Sequence, residues 1–95
     1  MSVYFIAHIG INDLAEYEKY LERCDEVFDG YGGEYLAVDE NPVVLEGDWP
    51  YSKTVLIRFP DKEKFYRWYE SPEYQSILKH RLKAAKCDTV LIEGK

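Results

Sequence analysis

The hydrophobic pattern of this chain changes period several times, and each change marks an expected element. From Val3 to Ile9 the residues are β-branched or aromatic with one polar break, His8. That run predicts a strand apolar on both faces, ended by Gly10. Asp13 stands where a helix N-cap belongs, with Glu16 three residues on as its capping-box partner. Leu14, Tyr17, Tyr20, Leu21, Cys24, Val27, Phe28 and Tyr31 then recur at steps of three and four, the buried stripe of an amphipathic helix. Acidic side chains fill its other face. Gly30, Gly32 and Gly33 stop it, with a left-handed glycine cap the expected device.

Glu34 to Val38 reads as a second strand, Asp39 to Pro42 as a turn, Val43 to Glu46 as a short strand, and Gly47 to Tyr51 as a loop. Lys53 to Phe59 is the third main strand, stopped by Pro60. Asp61 caps a helix that buries Phe65, Trp68 and Tyr69. Ser71-Pro72 opens another helix, serine as N-cap and proline at the first helical position. Its Tyr74, Ile77, Leu78, Leu82 and Ala85 are expected inward, and Lys79, Arg81, Lys83 and Lys86 mostly outward. Thr89 to Glu93 is the last strand. The order is β-α-β(β)-β-α-α-β, which folds most simply as a ferredoxin-like βαββαβ α+β unit. Its antiparallel sheet carries helices on one face, and its first strand lies between the third and the last. Residues 1–95 are expected to form one such domain, with no linker or repeat.

The faces of that sheet differ. Val55, Ile57, Phe59, Val90 and Ile92 make an apolar set suited to the helices. Thr54, Leu56, Arg58, Thr89, Leu91 and Glu93 make the alternate set, and the first strand is apolar on both sides. The second face is too apolar for open water and too polar for a dry core, which predicts a homodimer closed through the sheets.

Composition narrows the classes. The net charge of −6 argues against nucleic acid, since phosphate binding needs a basic surface. Acidic groups dominate up to Asp48 and basic ones thereafter, a split that solvated faces attracting each other would explain. Nine tyrosines suit pocket walls and interfaces as well as core edges. Cys24 and Cys87 have no metal or redox spacing, and no apolar run reaches signal-peptide or membrane length. A cytoplasmic protein without cofactor or metal is the expectation.

Several segments together resemble the domain of unknown function 1330 family. They are the opening strand, Tyr31-Gly32-Gly33, Leu45-Glu46-Gly47 with Trp49-Pro50, Phe59-Pro60, and the run from Trp68 to Gln75. Arg81 and the closing Glu93-Gly94 complete the pattern. The resemblance spans essentially the whole chain, and the run from Trp68 to Gln75 is its most specific piece. It implies a dimeric α+β barrel, two ferredoxin-like sheets closed face to face. Fold relatives include monooxygenases, isomerases and peroxidases, which is an analogy of fold. After the paired glycines the family often has a basic residue, and another further along the strand. This chain has Glu34 and Val38 there.

His8, alone in an apolar strand, is a candidate general base, or else a hydrogen-bonded core histidine. Arg81 matches the family arginine and could hold a carboxylate, or pair with the acidic helix. Glu46 and Trp49 flank Gly47 in a loop, and Tyr69 supplies an aromatic wall; these three are the candidate ligand contacts. The expected site is one pocket with His8 and Arg81 as its polar groups. No P-loop, dinucleotide fingerprint or nucleophile triad is present. Two functions follow: a cofactor-independent enzyme acting on a small carbonyl or carboxylate compound, or a non-catalytic ligand-binding or structural homodimer.

Overall fold

A computed structural model describes residues 1–95. The chain runs β1 (Val3–Ile11), α1 (Leu14–Phe28), β2 (Glu34–Asp39), β3 (Lys53–Phe59), α2 (Lys62–Tyr69), α3 (Pro72–Ala84) and β4 (Ala85–Glu93). The four strands form one antiparallel sheet in the order β2-β3-β1-β4, so β1 lies between β3 and β4 as expected. This is the ferredoxin-like α+β fold, with all three helices on one face of the sheet.

The helix starts follow local chemistry. The Asp13 side chain accepts from the Glu16 N–H, Asp61 from the Lys64 N–H, and Ser71 from the Tyr74 N–H. Glu16 does not complete a capping box, because its carboxylate goes to His80 on α3 instead, at 2.5 Å. That contact ties α1 to α3. After α1 the glycines have separate jobs. Gly32 sits at φ +82°, and a Cβ on Gly33 would come within 2.5 Å of the Phe28 ring and 2.8 Å of Phe59. The Tyr31-Gly32-Gly33 stretch is therefore explained by the turn and by close packing.

The core is largely aromatic. Phe59 stacks on Trp68 at 5.4 Å between ring centres, and Trp68 meets Tyr74 at 4.2 Å. Phe5, Phe28 and Phe65 close around them. Tyr20 and Tyr74 share a buried hydroxyl hydrogen bond of 2.8 Å across α1 and α3.

Several expectations are corrected. Residues 43–46 form no strand; the stretch from residue 40 to 52 is irregular, since no neighbouring strand offers it a ladder. β4 begins at Ala85 rather than Thr89, because β1 runs on to Ile11 and pairs with it there. The face of β4 is also reversed. Phe5 pairs with both Ile57 and Leu91, so Leu91 faces the helices, while Val90 and Ile92 lie on the open face beside Ile6 and Tyr4. On α3, Arg81 and Ala84 are buried and Leu82 is exposed, because steps of three from Leu78 lead to Arg81 and then Ala84. On α1, Leu14 and Leu21 lie at the edge of the stripe and stay exposed. No helix is long and apolar enough to cross a membrane.

Candidate functional site

Strand alternation sends Phe5, Ala7 and Ile9 of β1, and Lys53, Val55 and Ile57 of β3, toward the helices. Beneath α1 these residues do not fill the space. A cavity of about 250 Å³ remains, roofed by Tyr17, Tyr20, Leu21 and Cys24 and walled at the sheet edge by Tyr35 and Val38. Trp68 and Arg81 reach it from α2 and α3, and Asp25 is the carboxylate among its lining residues.

The polar groups of this cavity are mostly donors. Arg81 is 2% exposed, and its Nε and Nη1 make no hydrogen bond. Its guanidinium lies 5.7 Å from the centre of the Tyr20 ring. The indole N–H of Trp68 is also buried without a partner. Lys53, 7% exposed, holds its ammonium 5.0 Å from the Tyr17 ring. Neither Arg81 nor Lys53 forms an ion pair, although five other lysine or arginine ion pairs are present. Guanidinium, ammonium and indole N–H groups have no acceptor capacity.

The tyrosines do not supply the missing negative charge. Burial pushes the hydroxyls of Tyr17, Tyr20, Tyr35 and Tyr74 above the ordinary phenol range, so all four stay protonated at neutral pH. Burial works against the Arg81 cation at neutral pH, where Tyr20 and Tyr74 carry no charge to offset it. The guanidinium remains charged, as arginine does in proteins generally. The result is a buried cation at a largely apolar cavity, with neutral tyrosines around it and no carboxylate paired to it.

The sequence-predicted site residues divide between the two faces of the sheet. Arg81 lines the cavity. His8 lies on the open face, since its neighbours Ala7 and Ile9 point the other way. There it packs edge-on against Trp49 at 4.5 Å and against Tyr51 at 5.5 Å. His8 Nδ1 and the neighbouring Thr54 hydroxyl are both buried and unpartnered, and Tyr51 donates to Asp88 alongside. The expected single pocket shared by His8 and Arg81 is thus overturned: the sheet stands between them. Glu46 and Trp49 border a shallow hollow under the loop before β3, with Val44 and Thr54. Tyr69 packs against Phe5, Phe65 and Tyr74 and is not on the cavity wall. Sequence reasoning missed Lys53, Tyr17 and Tyr20 as cavity residues. The pattern held a cue for Lys53, which shares its alternation with Val55, Ile57 and Phe59. No three His, Cys, Asp or Glu side chains come together as a metal site.

Known structures share this architecture. A protein of unknown function from Rhodopseudomonas palustris superposes with a TM-score of 0.82 at 16% identity, over 99% of this chain and 82% of that one. A dimeric ferredoxin-like protein of unknown function from Jannaschia sp. CCS1 gives 0.76 at 14% identity, over 99% and 100%. SnoaB, a cofactor-independent oxygenase from Streptomyces nogalater, gives 0.70 at 17% identity, over 99% and 93%. At such identities the likeness is one of fold. No curated protein matches the sequence. The family model described as a domain of unknown function (DUF1330) matches residues 2–95, and the chain therefore belongs to the DUF1330 family.

Proposed function

We propose that the cavity beneath α1 binds a small organic anion, held by Arg81, and that the protein is a cofactor-independent enzyme acting on a carbonyl or carboxylate compound. One observation carries the reading: a guanidinium 2% exposed, with two unpartnered nitrogens and no carboxylate paired to it, faces an apolar cavity. A buried charge without a counter-charge is costly, and a carboxylate ligand relieves that cost with charge-assisted hydrogen bonds. Donors fixed in a largely apolar pocket also stabilise negative charge that develops on a carbonyl oxygen during reaction. Asp25 is the acceptor at hand for a proton leaving the bound molecule. The fold shared with SnoaB, named as a cofactor-independent oxygenase, supports the class by analogy.

A non-catalytic binding module is the second reading, favoured by an inner wall that carries donors and no histidine. Calorimetric titration with benzoate and with its neutral relative benzamide tests the site. Benzoate should bind, benzamide should bind far less, and Arg81→Met should abolish the difference. Equal binding of both, or an unaltered variant, overturns the anion site. Deuterium exchange of phenylpyruvate α-protons then separates enzyme from module. Acceleration lost in Arg81→Met supports catalysis, and binding without acceleration favours the module.

We also propose a homodimer through the open sheet face. Val90 and Ile92 are exposed there beside half-buried Ile6 and Leu56. Neighbours of the same fold are described as dimeric. A standard interface of about 1,600 Å² is expected. Sedimentation at micromolar concentration should give a dimer, and Val90→Arg a monomer; a monomeric parent chain removes the proposal.

A further inference from the structure

The anion site has a second cationic end, and this bears on what the ligand is. The reasoning rests on the anion-binding reading above. Lys53 and Arg81 reach the cavity from different elements, the start of β3 and the last turn of α3. Each lies against one of two adjacent rings of α1, Lys53 at 5.0 Å from Tyr17 and Arg81 at 5.7 Å from Tyr20. Those rings are 5.8 Å apart. The two cations therefore each border the same short aromatic stretch of roof.

Both cations are more than nine-tenths buried. The carboxylates closest in the lining are Asp25, in the same cavity, and Glu40, in the smaller hollow that Lys53 also borders. Neither is paired with Lys53 or Arg81. A single carboxylate on Arg81 would leave the Lys53 ammonium, which borders the same cavity, without a counter-charge. A ligand with two anionic groups on a flat apolar body would neutralise both ends and lay its body under Tyr17 and Tyr20. We infer that the ligand is a small dianion, a dicarboxylate of single-ring size, with Arg81 taking one carboxylate and Lys53 the other.

The test compares benzoate, isophthalate and terephthalate by calorimetric titration on the intact protein. At least one dicarboxylate should bind about tenfold or more tighter than benzoate, the gain of one charge-assisted contact. Lys53→Met should erase that gain, so that the dicarboxylates bind no tighter than benzoate does to the same variant, and Lys53→Arg should keep the preference. Thermal melts of both variants check that they fold. If benzoate binds and neither dicarboxylate binds tighter, the dianion inference falls while the anion site stands. A gain that survives Lys53→Met also overturns it. If no carboxylate binds at all, the underlying site reading fails as well.

Discussion

Arg81→Met should make the protein more stable while removing its ligand. In the free protein, Nε and Nη1 of Arg81 are buried without partners, and no carboxylate neutralises the charge. Each unsatisfied donor costs about 1–3 kcal/mol. The contact with the Tyr20 ring at 5.7 Å returns about 0.5–2 kcal/mol. Buried ionic groups replaced by apolar ones of similar volume have given gains of about 1–4 kcal/mol. Methionine is shorter than arginine, so some of that is lost to a larger cavity. A net gain of about 1–3 kcal/mol remains from these terms, worth roughly 4–8 °C per kcal/mol in a domain of this size. The assay is urea unfolding and scanning calorimetry at neutral pH in a buffer free of organic anions. Protein concentration must be held constant because a dimer's stability depends on it. Benzoate should raise the melting temperature of the parent chain and not of the variant. If Arg81→Met instead loses more than about 1 kcal/mol, and benzoate has no effect on either, the reasoning is refuted. The guanidinium would then be a structural strut held against the Tyr20 ring.

Phe59→Ala, at a residue fully enclosed by Phe28, Phe65 and Trp68, should cost about 3–5 kcal/mol in the same unfolding experiment. Leu21→Ala, on a residue 43% exposed, should cost under about 1.5 kcal/mol, and a larger loss would put Leu21 in the core after all. The acid limb of stability should depend on Glu16. Its carboxyl is held below the usual range, first by the hydrogen bond with His80 and then by Lys19. A lowered folded value stabilises the fold above the unfolded value of 4.5 and is lost as pH falls through the folded one. Glu16→Gln should therefore flatten the fall in melting temperature below pH 4.5; profiles that stay parallel would exclude the pair as a contributor.

What the sequence determined by itself is local. The starts of the three helices were legible because Asp13, Asp61 and Ser71 each cap through a residue three positions on, within one helical turn. The three-four stripe from Tyr17 to Phe28 marked the buried side of α1, and the runs of β-branched and aromatic residues marked β1 and β3. Which way a strand faces was a different matter. β1 is apolar at both odd and even positions, so nothing in its pattern tells Phe5 from Ile6, or shows that His8 points away from Arg81. Pairing decides it: Phe5 opposite Ile57 and Leu91 turns Val90 and Ile92 to the open face, against the reading from β4 alone. Arg81 and Lys53 had periodic cues pointing inward, three residues past Leu78 and two before Val55. Charge argued the other way, since charged side chains are rarely buried unpaired. Only the tertiary structure shows that α1 and the sheet leave space between them and that two cations from distant parts of the chain border it. A cavity is the volume that packing fails to fill, and that depends on residues far apart in sequence.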